Sequence, residues 1–160
     1  LVRHRPGFAF SQLSQQYHDE VDATFIEPAQ LHRYPDALKA WQEAMKVARK
    51  SYREIHEALE KDGSSILDGL SQKELRRAVR SAARSVLPNA TETKIVATAN
   101  ARAIRHFLEV RGSIPGDEEM RNLSCNLLQE LKRDAPAMFS DFKIETLTDG
   151  TPIVRKAIIS

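Results

Sequence analysis

Cysteine is nearly missing from this chain: Cys125 is the only one in 160 residues. A single thiol excludes an internal disulfide and fits a reducing compartment, so a cytoplasmic protein is expected. Long hydrophobic runs are missing too. None approaches the roughly 20 residues that a membrane span needs, and no membrane partner is expected. Charge of one sign is not in excess, because 24 basic residues face 22 acidic ones, and a net +2 does not by itself indicate nucleic acid. There is no glycine-rich phosphate loop and no G-x-S-x-G elbow. The five histidines, at 4, 18, 32, 56 and 106, show no i, i+4 pairing and no nearby cysteine, so no metal is expected. The opening, Leu1-Val2-Arg3-His4-Arg5, is charged at once and shows no signal-peptide pattern; it reads as a fragment cut within a longer chain.

Apolar residues make up 41% of the chain and charged residues 29%, the balance of a soluble globular protein. At this length residues 1–160 are expected to form a single domain that buries about 70% of its unfolded surface. The most informative stretch runs from Arg84 to Arg111. Pro88 cannot continue a helix and pushes Leu87 out of helical conformation. Thr93 to Thr98 is rich in β-branched residues and reads as a strand. Asn100 stands where an N-cap belongs. Arg84, Arg102 and Arg111 fall near element ends, where cations could converge on one ligand.

Residues 1–17 read as a polar loop with a turn at Pro6-Gly7, and residues 23–27 as a short strand ended by Pro28. Pro35-Asp36 opens a long helix expected to stop at Gly63, with Gly63-Ser64-Ser65 as a flexible joint. Leu38, Trp41, Met45, Ala48, Tyr52, Ile55 and Leu59 form a heptad seam along it. In the next helix, about Ser71 to Val86, the buried face is expected at Leu75, Val79, Ala82 and Val86. Lys73, Arg77, Arg80 and Arg84 follow the same steps on the opposite face and read either as a solvated face or as an anion site for phosphate. A helix from Asp117 to Arg133 should bury Met120, Leu123, Leu127 and Leu131, with Cys125 as an inert buried thiol. Asp149-Gly150 marks a hairpin between Phe142 and Ile158. The chain supplies arginines and amides but no obvious covalent nucleophile, which suits gripping a phosphorylated ligand and a cofactor.

Two groups of these residues resemble one family. Arg3-His4-Arg5 is followed, after a short gap, by Ser11-Gln12-Leu13-Ser14-Gln15-Gln16-Tyr17. Further on stand Arg84-Ser85-Val86-Leu87-Pro88, Asn100-Ala101-Arg102, His106-Phe107-Leu108 and Arg111. In this spacing, and over nearly its whole length, the chain is similar to the flavin-dependent thymidylate synthases. The resemblance implies methylation of dUMP to dTMP with FAD as cofactor and methylenetetrahydrofolate and NADPH as co-substrates. It implies the C-terminal two-thirds of an α+β fold, helix-rich, whose mixed or antiparallel sheet is partly supplied by a missing N-terminal segment. It also implies a homotetramer with shared active sites, which would give the heptad seam a partner.

Residue by residue, the resemblance implies that Arg3, His4, Arg5, Gln12, Asn100, Ala101, Arg102 and His106 contact FAD. Arg3, Gln12, Leu13, Ser14, Gln15, Gln16, Arg84 and Arg111 would contact dUMP. Arg111 matches the catalytic arginine held against the uracil ring, where a guanidinium favours the ionised form. Three departures stand out: one extra residue within Pro6-Gly7-Phe8-Ala9-Phe10, Gln16 in place of an arginine, and Pro115-Gly116 in place of a His-Ala pair. A neutral amide cannot replace a bidentate cationic contact, so weakened activity is expected. The alternative is a degenerate relative that binds nucleotide or flavin without turnover. A nucleic-acid binder using the Lys73–Arg84 stripe ranks last, because aromatics are not interleaved with its cations.

Overall fold

Helix dominates the chain, as its propensities lead one to expect. A computed structural model describes residues 1–14, 19–66, 69 and 71–157. In chain order it contains β1 (Phe8–Gln12), a 3-10 turn (Ala29–Arg33), α1 (Pro35–Ile66), α2 (Gln72–Ala83) and a second 3-10 turn (Arg84–Val86). There follow β2 (Ile95–Ala99), α3 (Ala101–Arg111), α4 (Glu118–Asp134), a third 3-10 turn (Pro136–Phe139), β3 (Phe142–Thr146) and β4 (Pro152–Lys156). The strands form two small antiparallel sheets, β1 with β2 and β3 with β4, so the class is α+β as expected. The chain packs in two units, one of residues 12–95 and one of residues 1–11 with 96–160. Among the described residues no helix is long and apolar enough to cross a membrane.

In the unit of residues 12–95, α1 packs on α2. The seam from Leu38 to Leu59 is its inward face: Tyr52 is wholly buried and the other six members are half-buried. The Tyr52 hydroxyl accepts from Glu20 N at 3.2 Å, and burial pushes the phenol's pKa up. The Arg49 guanidinium donates to Ala23 O at 2.9 Å and lies 5.2 Å from the Phe25 ring centroid. The expected stop and joint at Gly63-Ser64-Ser65 are not found. The helix continues through them to Ile66, and the left-handed turn comes at Gly69, φ +94°. A glycine inside a helix costs only about 1 kcal/mol relative to alanine, so it ends a helix only where the backbone also turns left-handed. The strand expected over 23–27 reduces to one bridge, Phe25 with Thr91.

α2 starts at a capping box in which Ser71 and Glu74 satisfy each other's backbone N–H groups. Of its expected buried face, Leu75 and Val86 are half-buried and one member departs. Val79 and Ala83 are buried, whereas Ala82 is exposed. With Ala83 buried in its place, Arg80 and Arg84 are half-buried rather than on an opposite, solvated face.

In the other unit, Phe107, Leu108, Cys125, Leu128, Phe139, Phe142 and Val154 form the core. α4 is capped by Asp117, whose side chain accepts from Met120 N at 3.1 Å. Of its expected face Met120, Leu127 and Leu131 are half-buried against the core, but Leu123 is 42% exposed, and Arg121, Ser124, Cys125 and Leu128 are buried more deeply. The reason is polar. Arg121 donates to Thr151 Oγ1 at 2.6 Å and Pro152 O at 2.9 Å, and Ser124 Oγ donates to Met120 O at 2.7 Å. Hydrogen bonding lets these groups be buried, so apolar spacing alone does not show the polar part of the face. The expected hairpin forms, with Phe142 opposite Lys156 and Thr146 opposite Pro152. Arg105 makes a bidentate pair with Asp141, both bonds 2.6 Å, and stacks 4.9 Å from the Phe142 centroid. That pairing holds the Asp141 carboxyl below the usual carboxylate range.

Residues 8–12 are a strand where a polar loop was expected. Phe8 and Phe10 are half-buried and their rings stack at 5.6 Å, while Ala9 and Ser11 point to solvent. This period of two was masked by the flanking arginines and amides. Gly7, φ +73°, admits the chain to the strand beside α3: a Cβ there would stand 2.6 Å from Ala103 Cβ.

Candidate functional site

Each unit carries its own cluster. In residues 12–95, a cavity of about 450 Å³ is lined by Gln12, Leu13, Ser14, Arg84, Leu87, Pro88, Asn89, Thr91 and Thr93. Local chemistry sets its walls. Leu13 N donates to Lys94 O at 2.8 Å, and Thr93 Oγ1 donates to Leu13 O at 3.3 Å, which fixes the Gln12–Ser14 segment. Arg84 caps α2, and the chain leaves the helix at Leu87, φ −77° and ψ 130°, the conformation Pro88 imposes. Thr91 N and Oγ1 both donate to Pro88 O, at 3.0 and 2.8 Å, and close the loop behind Asn89. The cavity therefore offers one guanidinium, amide and hydroxyl groups, and the apolar Leu13, Leu87 and Pro88. That set suits a small ligand with an anionic end and a polar ring.

Four residues assigned by resemblance to the substrate, Gln12, Leu13, Ser14 and Arg84, thus meet in one cavity although they are far apart in sequence. Gln15 and Gln16 lie outside the described residues. Leu87, Pro88, Asn89, Thr91 and Thr93 were not singled out as lining residues; the Pro88-Asn89 turn was the signal that could have found them.

In the unit of residues 1–11 and 96–160, the centre of the second cluster is His4. It is 7% exposed, and its ring lies 5.3 Å from Phe8, 5.3 Å from His106 and 5.4 Å from Phe107. Among the described residues its buried Nε2 has no hydrogen-bond partner. Burial, and after it the charges of His106 and Arg111, lower its pKa below the ordinary 6.5. Arg3 and Arg5 flank it and are exposed. The Asn100 side chain accepts from Ala103 N at 2.9 Å, the expected cap; Ala101 is half-buried and Arg111 ends α3, half-buried.

Arg102 and His106, one turn apart, line a cavity of about 360 Å³ with Arg105, Glu109 and Lys156, none of which the sequence had marked. Lys156 Nζ pairs with Glu109 at 3.0 Å. Exposed arginines, a buried imidazole with an unsatisfied nitrogen and two stacked phenylalanines fit a large aromatic cofactor with a phosphate bridge. The residues assigned by resemblance divide accordingly. All those assigned to FAD lie in this unit except Gln12, and those assigned to dUMP lie in the other except Arg3 and Arg111.

The family described as thymidylate synthase complementing protein matches residues 1–137. Among curated relatives, the flavin-dependent thymidylate synthase of Mycolicibacterium vanbaalenii is 42% identical over 153 residues, 96% of this chain and 60% of that protein. The enzyme of the same name from Mycobacteroides abscessus is 41% identical over 159 residues, 99% of this chain and 62% of that one. The one from Mycobacterium tuberculosis is 42% identical over 153 residues. The chain spans about three-fifths of the length of the relatives it matches. Matched in this way over most of its residues, the chain belongs to the thymidylate synthase complementing protein family, that of the flavin-dependent thymidylate synthases.

Proposed function

We propose that the protein to which this chain belongs converts dUMP to dTMP, with FAD as cofactor and methylenetetrahydrofolate and NADPH as co-substrates. The observation that carries this reading is the cavity in which Arg84 faces Gln12, Leu13 and Ser14. Arg84 pairs with the nucleotide phosphate, and the amide and hydroxyl groups of Gln12 and Ser14 hydrogen-bond the sugar and base. Arg111 lies against the uracil ring and stabilises its ionised form. Arg3, Arg5 and Arg102 would hold the cofactor, and His4 Nε2 would find a hydrogen-bond partner on it. The flavin, when bound, supplies the redox chemistry.

Gln16 in place of arginine and the extra residue near Phe8 slow turnover, because a displacement of 1 Å can cost about 100-fold. Residues 1–160 form a single domain, the protein is cytoplasmic, and the active protein is a homotetramer whose subunits share active sites.

The test is the visible absorbance spectrum of the full-length protein, with and without dUMP. A flavin spectrum that dUMP perturbs supports the reading. Arg84→Gln should weaken dUMP roughly 10- to 100-fold, the cost of one charge-assisted contact, while flavin is retained. A colourless protein that cannot be loaded with FAD overturns it. Replacing Gln16 by Arg together with deletion of the extra residue should raise turnover; no rise favours a relative that binds without catalysis.

A further inference from the structure

Three side chains of α1, Arg49, Tyr52 and Arg53, stand at positions i, i+3 and i+4 and so share one face. All three reach the backbone of residues 20–23. The Tyr52 hydroxyl accepts from Glu20 N at 3.2 Å, Arg53 Nε donates to Val21 O at 2.9 Å, and Arg49 donates to Ala23 O at 2.9 Å. Arg49 reaches further along the segment, because its guanidinium also lies 5.2 Å from the Phe25 ring centroid. A planar cation can donate in its plane and meet a ring with its face, so one side chain holds both Ala23 and Phe25.

The far side of this segment supports the candidate substrate cavity. Phe25 bridges Thr91, with Ile26 N donating to Ala90 O at 2.7 Å and Glu92 N to Thr24 O at 2.8 Å. Those two bonds flank the pair rather than join it, the antiparallel arrangement in which opposite side chains stand closest. Thr91 is buried and lines the cavity with Asn89 and Thr93, and this wall belongs to no helix or named strand. The next tie between the segment and α1, Gln42 Nε2 to Glu27 Oε2, is exposed and 3.4 Å long, too weak to replace Arg49.

We infer that Arg49 is a positioning residue for the substrate cavity: acting through Phe25 and Thr91, it places the Asn89–Thr93 wall and so sets the affinity for the nucleotide without touching it. This rests on the reading of that cavity as the dUMP site.

The experiment is equilibrium dialysis of the full-length protein against labelled dUMP. R49M keeps the aliphatic stem and loses the guanidinium; it should raise the Kd for dUMP about tenfold with flavin content unchanged. F25L keeps the backbone bridge and removes the ring; it should act in the same direction, and it gives the answer if R49M does not fold. A merely structural role lowers the number of folded sites and the Tm but leaves the Kd of those sites where it was. S71A, which removes the cap of α2, supplies that control and should lower Tm with the Kd unchanged. The inference is overturned if R49M and F25L bind dUMP as tightly as the parent, or if S71A weakens binding as much as they do. Binding lost in R84Q but kept in R49M and F25L overturns it and leaves the dUMP reading standing, whereas a parent that binds no dUMP overturns both.

Discussion

Gly7 shows how much can rest on one missing methyl group. Its φ of +73° is a conformation that side-chain-bearing residues adopt at a cost, and the added Cβ would meet Ala103 Cβ at 2.6 Å. Neither atom is the end of a flexible side chain. Gly7→Ala should therefore destabilise by about 1–3 kcal/mol, read from the urea midpoint at constant slope. A midpoint within error of the parent's would contradict the close packing of the β1 entry on α3. Cys125 is the opposite case, a residue whose surroundings make it quiet. It is 3% exposed and burial pushes its thiol pKa up. It should stay unreactive toward a thiol reagent such as DTNB in the native state and react fully in denaturant. Rapid native labelling would mean that the α4 core opens easily. The inertness of Cys125 was legible in sequence, because no histidine or helix N-terminus stood near it. The burial of His4 was not, since the aromatic rings around it come largely from the distant α3.

At the scale of elements, local chemistry was the readable part. The Asn100 cap, the break at Pro88, the Asp117 start and the Asp149-Gly150 hairpin each depend on atoms within a few residues, and each was found as expected. Asn100→Ala should cost about 1 kcal/mol, the usual value of a cap, while Asn100→Asp should keep most of it. Thermal unfolding of the three proteins checks this, and equal loss in both variants would deny the capping role. The elements that were misread depend on partners. β1 exists because β2 pairs with it, and on α2 and α4 the single departures, exposed Ala82 and Leu123, go with the burial of Ala83 and of Arg121 and Ser124, which apolar spacing does not flag. The candidate cavity was legible in its two motif segments, Gln12–Ser14 and Arg84. Its remaining wall, Asn89 to Thr93, follows from a fold of the backbone that no motif marks.

At the scale of the whole molecule, His4 and Asp141 respond to acid in different ranges. His4 has a folded pKa below its unfolded 6.5, so the unfolded state binds more protons between the two values. Its contribution is fully present above pH 6.5 and is lost as pH falls through the lowered value. Asp141, held down by Arg105, behaves in the same sense but below its ordinary 3.8. Stability against urea should thus decline first just below pH 6.5 and again in the acid range below 3.8. His4→Phe should flatten the upper decline and leave the lower one. If the variant keeps the upper decline, another group is responsible.

The placement of the aromatic residues has a spectroscopic consequence. Trp41 on the inward face of α1 is the only tryptophan, and the three tyrosines are Tyr17, Tyr34 and Tyr52, so all four belong to residues 12–95. The unit of residues 1–11 and 96–160 has phenylalanine alone. Near-ultraviolet absorbance and indole fluorescence therefore watch one unit of this chain and are blind to the other. A flavin gripped by Arg3, His4 and Arg102 would light the second unit in the visible. The chain would then carry a separate colour for each half, and the order in which they melt could be followed without attaching any label.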